Sequence, residues 1–148
     1  MVIQSPKIRV LFSLIGKVGV DVNLDKITKE MGIKPTKTRT PDDWPEAIKS
    51  PKTELPDEYR PHHVWQIDIG YKKDKLVRDR FNVMLRLLTK KIEVINDLKK
   101  QFSLRASFTI GIQAQHDQYN MPEMFLTQEI VAFAADIGAD IGFDMYLD

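Results

Sequence analysis

Three aspartates, Asp140, Asp144 and Asp148, recur every fourth residue at the end of the chain. Carboxylates gathered on one surface can bind a metal, move protons, meet a basic partner or simply face water. The spacing excludes a metal or acid–base site made by these three alone; a neighbouring strand would have to supply the other groups, and those on its open face are mostly cations or amides. Ile141, Phe143, Met145 and Leu147 alternate with smaller or polar residues, a period of two that predicts a strand, and at roughly 3.3 Å per residue positions four apart lie about 13 Å from one another. A glycosidase carboxylate pair needs about 5–9 Å, and oxygens sharing one cation must be closer still. What remains is an acidic face, to which Glu129 and Asp136 on the preceding helix add two charges.

The other chemistry-bearing residues are scattered. His62 and His63 are adjacent and point to opposite sides of an extended segment, and His116 has no partner at a chelating interval, so the ligand count that zinc needs is not met. Cysteine is absent, which removes thiolate nucleophiles, thiolate metal sites and disulfides together. No GxSxG-type frame occurs. "KPTKTRT", residues 34–40, mixes three cations with three hydroxyls but lacks the glycines with which a backbone wraps phosphate. The sequence therefore calls for no catalytic residue, metal or cofactor. Trp44, set among prolines and charges, is either the anchor of a flap or an exposed recognition residue. With Arg39, His62, His63 and Trp65 it forms the one grouping that could line a ligand pocket.

With 148 residues, 43% of them hydrophobic, the chain is long enough to bury a core as a single domain, residues 1–148, without staples. "VLFSLIG" at residues 10–16 is cut short by Lys17, which disqualifies it as a leader, and no run approaches the roughly 20 apolar residues of a membrane span. A cytoplasmic protein is expected. The net charge of +1 hides a polarised chain: residues 106–148 carry seven acids and no Lys or Arg, leaving 22 cations against 14 acids before them. Either the halves meet inside the fold or one of them meets a charged partner.

Positioning these residues falls to a small set of elements. Residues 7–15 alternate Ile8, Val10, Phe12 and Leu14 against Lys7, Arg9 and Ser13, a half-buried strand. Asn23 caps a short helix with Leu24, Ile27 and Met31 on one face and Gly32 as its stop. Trp65, Ile67, Ile69 and Tyr71 mark a strand over 64–72. Between them a proline-rich insertion, residues 34–62, holds six cations and six acids; its prolines exclude a long helix, its length suits a covering flap, and its balanced charge argues against a nucleic-acid stripe. A helical stripe then runs from Val77 to Phe102 behind Asp74, without Gly or Pro. Residues 103–115 alternate cleanly, as in an antiparallel or mixed sheet. Thr127 caps a last helix ending at Gly138, so the repeated Ala-Asp-Ile-Gly of residues 135–142 serves first a helix and then a strand.

Pro122, Thr127, Ile137, Gly138, Ala139, Asp144, Met145, Tyr146 and Leu147, together with "MGIKPTKT" after the first helix and Trp65 opening its strand, resemble bacterial proteins of domain-of-unknown-function family 4279. The likeness spans nearly the whole chain, except for the insertion from Arg39 to Arg60. It implies a fold and carries over no catalytic residue.

The expected fold is α+β: a mostly antiparallel sheet of four to five strands, three helices on one face and the insertion on the other face or an edge. That element order permits a ferredoxin-like core with additions. The expected function is a non-enzymatic interaction module, of the immunity type, that blocks a basic protein partner through Glu129, Asp136, Asp140, Asp144 and Asp148. The alternative is a small-ligand or enzymatic domain whose pocket lies between the insertion and the open sheet face, lined by Arg39, Trp44, His62, His63 and Trp65. Neither reading involves a membrane, and both allow a homo-oligomer.

Overall fold

The alternating segments assemble, in a computed structural model that describes residues 5–49, 55–56, 59–115 and 121–147, into one mixed sheet. In chain order the elements are β1 (Lys7–Ile15), α1 (Leu24–Met31), β2 (Lys37–Arg39), a 3-10 turn (Pro41–Asp43), α2 (Glu46–Lys49), β3 (Val64–Asp68), β4 (Lys72–Lys73), α3 (Val77–Leu88), α4 (Ile92–Phe102), β5 (Arg105–Ala114), α5 (Gln128–Asp136) and β6 (Ala139–Leu147). The strands run β2-β3-β1-β5-β6, with β4 beside the start of β1. Every pairing is antiparallel except the parallel β5–β6 pair.

β1 lies in the middle because it is the most apolar strand. Its even residues Ile8, Val10, Phe12 and Leu14 pack with Ala106, Phe108, Ile110 and Ile112 of β5 and with Trp65 and Ile67 of β3 in one core cluster. Helices α1, α3, α4 and α5 close that side with Ile27, Met31, Phe81, Met84, Leu88, Ile95, Leu98, Ile130 and Phe133. The α+β architecture, a mostly antiparallel sheet with helices on one face, is as expected; among the described residues it has six strands and five α-helices, more than the four to five strands and three helices anticipated.

Four details depart from the sequence-based expectation. The stripe over residues 75–102 is divided at Thr89–Lys91: the Thr89 hydroxyl bonds back to the Leu85 carbonyl, and Lys91 N–H reaches only three residues back, to Leu88 O at 2.8 Å. Back-bonding of this kind bends helices. Asp74 does not cap α3, which begins at Val77; its carboxylate instead accepts the Leu76 N–H at 3.0 Å, closing a turn one residue earlier. The strand over 64–72 breaks at Gly70, whose φ of 78° turns the chain as most residues will not. A ferredoxin-like order is realised only in part: β3 and β5 flank β1 and are linked through α3 and α4, but β6 then joins β5 in parallel through α5.

The caps of α1 and α5 follow the sequence. Asn23 accepts the Lys26 N–H at 3.0 Å, Gly32 ends α1 at φ 65°, and Thr127 accepts the Ile130 N–H at 3.3 Å. No helix among the described residues is long and apolar enough to cross a membrane.

Candidate functional site

Strand register decides what gathers on the open face. On that face Lys37 stands opposite Gln66, Gln66 opposite Ser13, Ser13 opposite Ser107, and Ser107 opposite Asp140. A second row, one step along, brings together Arg39, Val64, Ile15 and Arg105. The face therefore grades from cations at the β2 edge to a carboxylate at β6.

At the cationic end lies a cavity of about 500 Å³, lined by Ser13, Ile15, Lys17, Lys37, Arg39, Trp44, His62, Gln66 and Arg105 among others. Among the described residues, four of those lining it are cations and none is an acid. The insertion supplies its wall. Trp44 donates its indole N–H to His62 O at 3.1 Å, its ring lies 4.8 Å from the His62 ring at 49°, and the Arg39 guanidinium stacks on it with Cζ 3.8 Å from the ring centroid. Such stacking holds a guanidinium in one place. His62 Nδ1 sits 2.7 Å from Arg60 O; a carbonyl only accepts, so Nδ1 carries the proton of that bond. The Asp43 carboxylate, close by, is occupied with Thr40, accepting its N–H at 2.8 Å and its hydroxyl at 3.3 Å. Those bonds, the backbone one foremost, hold it below the usual carboxylate range, with Arg39 a smaller cause.

Of the residues expected at a pocket, Arg39, Trp44 and His62 meet there and two do not. Trp65 is fully buried on the helix side, its indole N–H donating to Thr28 Oγ1 at 3.0 Å. His63 faces away as well: its Nε2 lies 3.9 Å from Asp21 and its Nδ1 is buried without a partner. Strand parity explains both, since odd positions of β3 face the core. Ser13, Gln66, Lys37, Lys17 and Arg105 complete the pocket and escape a reading of the sequence, because only cross-strand register unites them.

The insertion is thus tied to the sheet through Trp44. Trypsin is expected to spare Lys49 in α2 in the native protein and to nick a Trp44→Ala variant there about tenfold faster, as local opening becomes cheaper; mass spectrometry of timed digests checks this. Lys52, the other cleavage point in that loop, lies outside the described residues.

The acidic residues divide between two layers. Asp140 and Asp144 project from the open face of β6, opposite Ser107 and Gly111, and Asp140 lies 3.6 Å from Arg105 Nη1 in an exposed ion pair. Beside Asp144, Tyr71 and Arg9 lie over Gly111, where a Cβ would come within 2.9 Å of the Tyr71 hydroxyl. Burial there raises the tyrosine's pKa above its ordinary value, and Asp144 adds a smaller push in the same direction. Glu129 and Asp136 are exposed on α5, in the helix layer. Asp148 lies outside the described residues, as does His116. The other side of β6 was expected to be apolar, and it is, but Phe143, Met145 and Leu147 are 42%, 41% and 52% exposed. The sheet outruns the helices that cover it.

A mixed sheet with one helical layer, a cationic pocket on the open face and an uncovered final strand make this a small α+β domain, a class broader than any one family. The domain-of-unknown-function family DUF4279 matches the chain over residues 6–148, and the protein belongs to that family. No curated protein and no solved structure matches it.

Proposed function

We propose that the protein is a non-enzymatic interaction module that takes up an extended, basic segment of a partner protein along β6, in the manner of an immunity-type blocker. One observation carries this reading. Among the described residues β6 pairs with β5 alone, so there a strand of nine residues offers an open hydrogen-bonding edge with acids on one side and an exposed apolar row on the other. Native proteins usually blunt or cover such edges, and an added strand gains affinity from main-chain bonds and specificity from alternate side chains.

Charge selects the occupant. A two-fold pairing of two copies about Gly142 sets Asp140 against Asp144, and one about Asp144 sets that residue against itself; like charges opposite each other destabilise a pair, so a second copy is confined to registers such as that about Phe143, which sets Asp144 against Gly142. A cationic strand has no such penalty. The immunity-type role rests on this complementarity and on the polarised charge of the chain.

The test uses Asp140→Lys/Asp144→Lys, whose side chains lie on the open face and outside the core. The double variant should fold as the wild type does by circular dichroism. A partner recovered with the wild-type protein is expected to associate with the variant about tenfold more slowly at low salt, with a flatter salt dependence, and to protect β6 amides from hydrogen exchange in the wild-type complex. Unchanged association, or protection confined to other elements, defeats the reading.

A further inference from the structure

We propose that the cavity beside Trp44 binds a small organic oxyanion carrying at least two negative charges, a phosphomonoester or a dicarboxylate. Among the described residues its lining holds Lys17, Lys37, Arg39 and Arg105 with no acid, and of these four only Arg105 is ion-paired, to Asp140. Four cations with so little counter-charge beside them, Asp140 at Arg105 and Asp43 near Arg39, repel one another, and an anion placed among them is attracted to all.

The donors are also set in position. Stacking on Trp44 holds the Arg39 fork, which suits the two oxygens of a carboxylate or phosphate. On the floor, Ser13 is 7% exposed and its hydroxyl oxygen accepts from Gln66 Nε2 at 2.9 Å, leaving its own hydrogen to donate. The indole N–H of Trp44 is spent on His62 O. The charged and hydroxyl groups of the pocket thus donate, and the matching ligand is one rich in acceptors. The volume, about 500 Å³, lies within the range of small-molecule sites and exceeds what a bare inorganic ion fills.

Calorimetry and thermal unfolding at fixed ionic strength supply the test, with glycerol 3-phosphate and succinate as the two anionic arms and glycerol and putrescine as neutral and cationic controls. At least one anion should raise Tm while neither control does, and the arm that responds identifies the headgroup. Lys37→Gln, at an exposed position, and Arg39→Gln should each weaken that anion's binding about tenfold, the loss of one charge-assisted contact. Lys90→Gln/Lys100→Gln, in the helix layer, should leave it unchanged. No response to either anion overturns the proposal. So does an equal response in Lys37→Gln and the distant double variant, which would mark diffuse screening. Because no partner protein enters this assay, its result is independent of the partner-binding reading.

Discussion

Phe108→Ala is expected to cost about 3–5 kcal/mol of stability, the range for a large aromatic removed from a core. Phe108 is fully buried at the crossing of three layers of contact: its ring centroid lies 5.2 Å from that of Phe12 on β1, 4.8 Å from Phe81 on α3 and 6.4 Å from Phe133 on α5. Tilted ring pairs add about 0.5–1.5 kcal/mol each beyond area burial, and the neighbours, fixed on a sheet and two helices, can collapse only partly into the void. A domain holds about 5–15 kcal/mol in total, so the variant should be marginal. Urea unfolding reads this as a lower midpoint at unchanged slope. Phe143→Ala, on the uncovered side of β6, should change stability by no more than about 0.5 kcal/mol, which makes it the matched control.

Arg80→Met should be the second large loss, about 2–4 kcal/mol. Arg80 is 6% exposed; its Nε donates to Ile8 O at 3.2 Å, and its Nη2 donates to Gly70 O at 2.9 Å and more weakly to Ile69 O at 3.5 Å. These carbonyls lie where the sheet is interrupted between β3 and β4, so the guanidinium replaces ladder bonds that the turn at Gly70 removes. Methionine fills the space but leaves the acceptors unpaired. Removing a buried cation returns part of its desolvation cost, and for that reason the lower end of the range stays open. Arg80→Lys should rescue little, because one ammonium cannot follow the fork to carbonyls on two strands. Urea midpoints give the magnitude, and faster exchange of the Lys72 and Lys73 amides shows where the sheet loosens.

The parts of the fold legible in the sequence were those written in a local pattern. β1, β5 and β6 are spelled by alternation, and α1 and α5 by their caps. β2 is three residues long and carries no pattern of its own; it is a strand because β3 offers it an edge. The division of α3 from α4 falls where Thr89 bonds back to Leu85 and Lys91 reaches only to Leu88, details the apolar stripe does not encode. For the pocket, parity sorted His62 from His63, and the same rule applied to Trp65 sends it to the core. Register, set by long-range pairing, was needed to bring Lys37, Ser13 and Arg105 to the same place. For β6 the alternation told which side was apolar; how far the helices extend over it is a property of the assembled layer.

The central position of the first strand has a kinetic consequence. β1 has to pair with β3 on one side and β5 on the other, and Lys7 meets Gln113 across about a hundred residues of intervening chain, the kind of separation that slows two-state folding. During synthesis β1 emerges with neither neighbour made, and β5 is complete only after about two thirds of the chain has followed it. The nucleus should therefore form late and around β5, with refolding slower than that of a helical bundle of the same size.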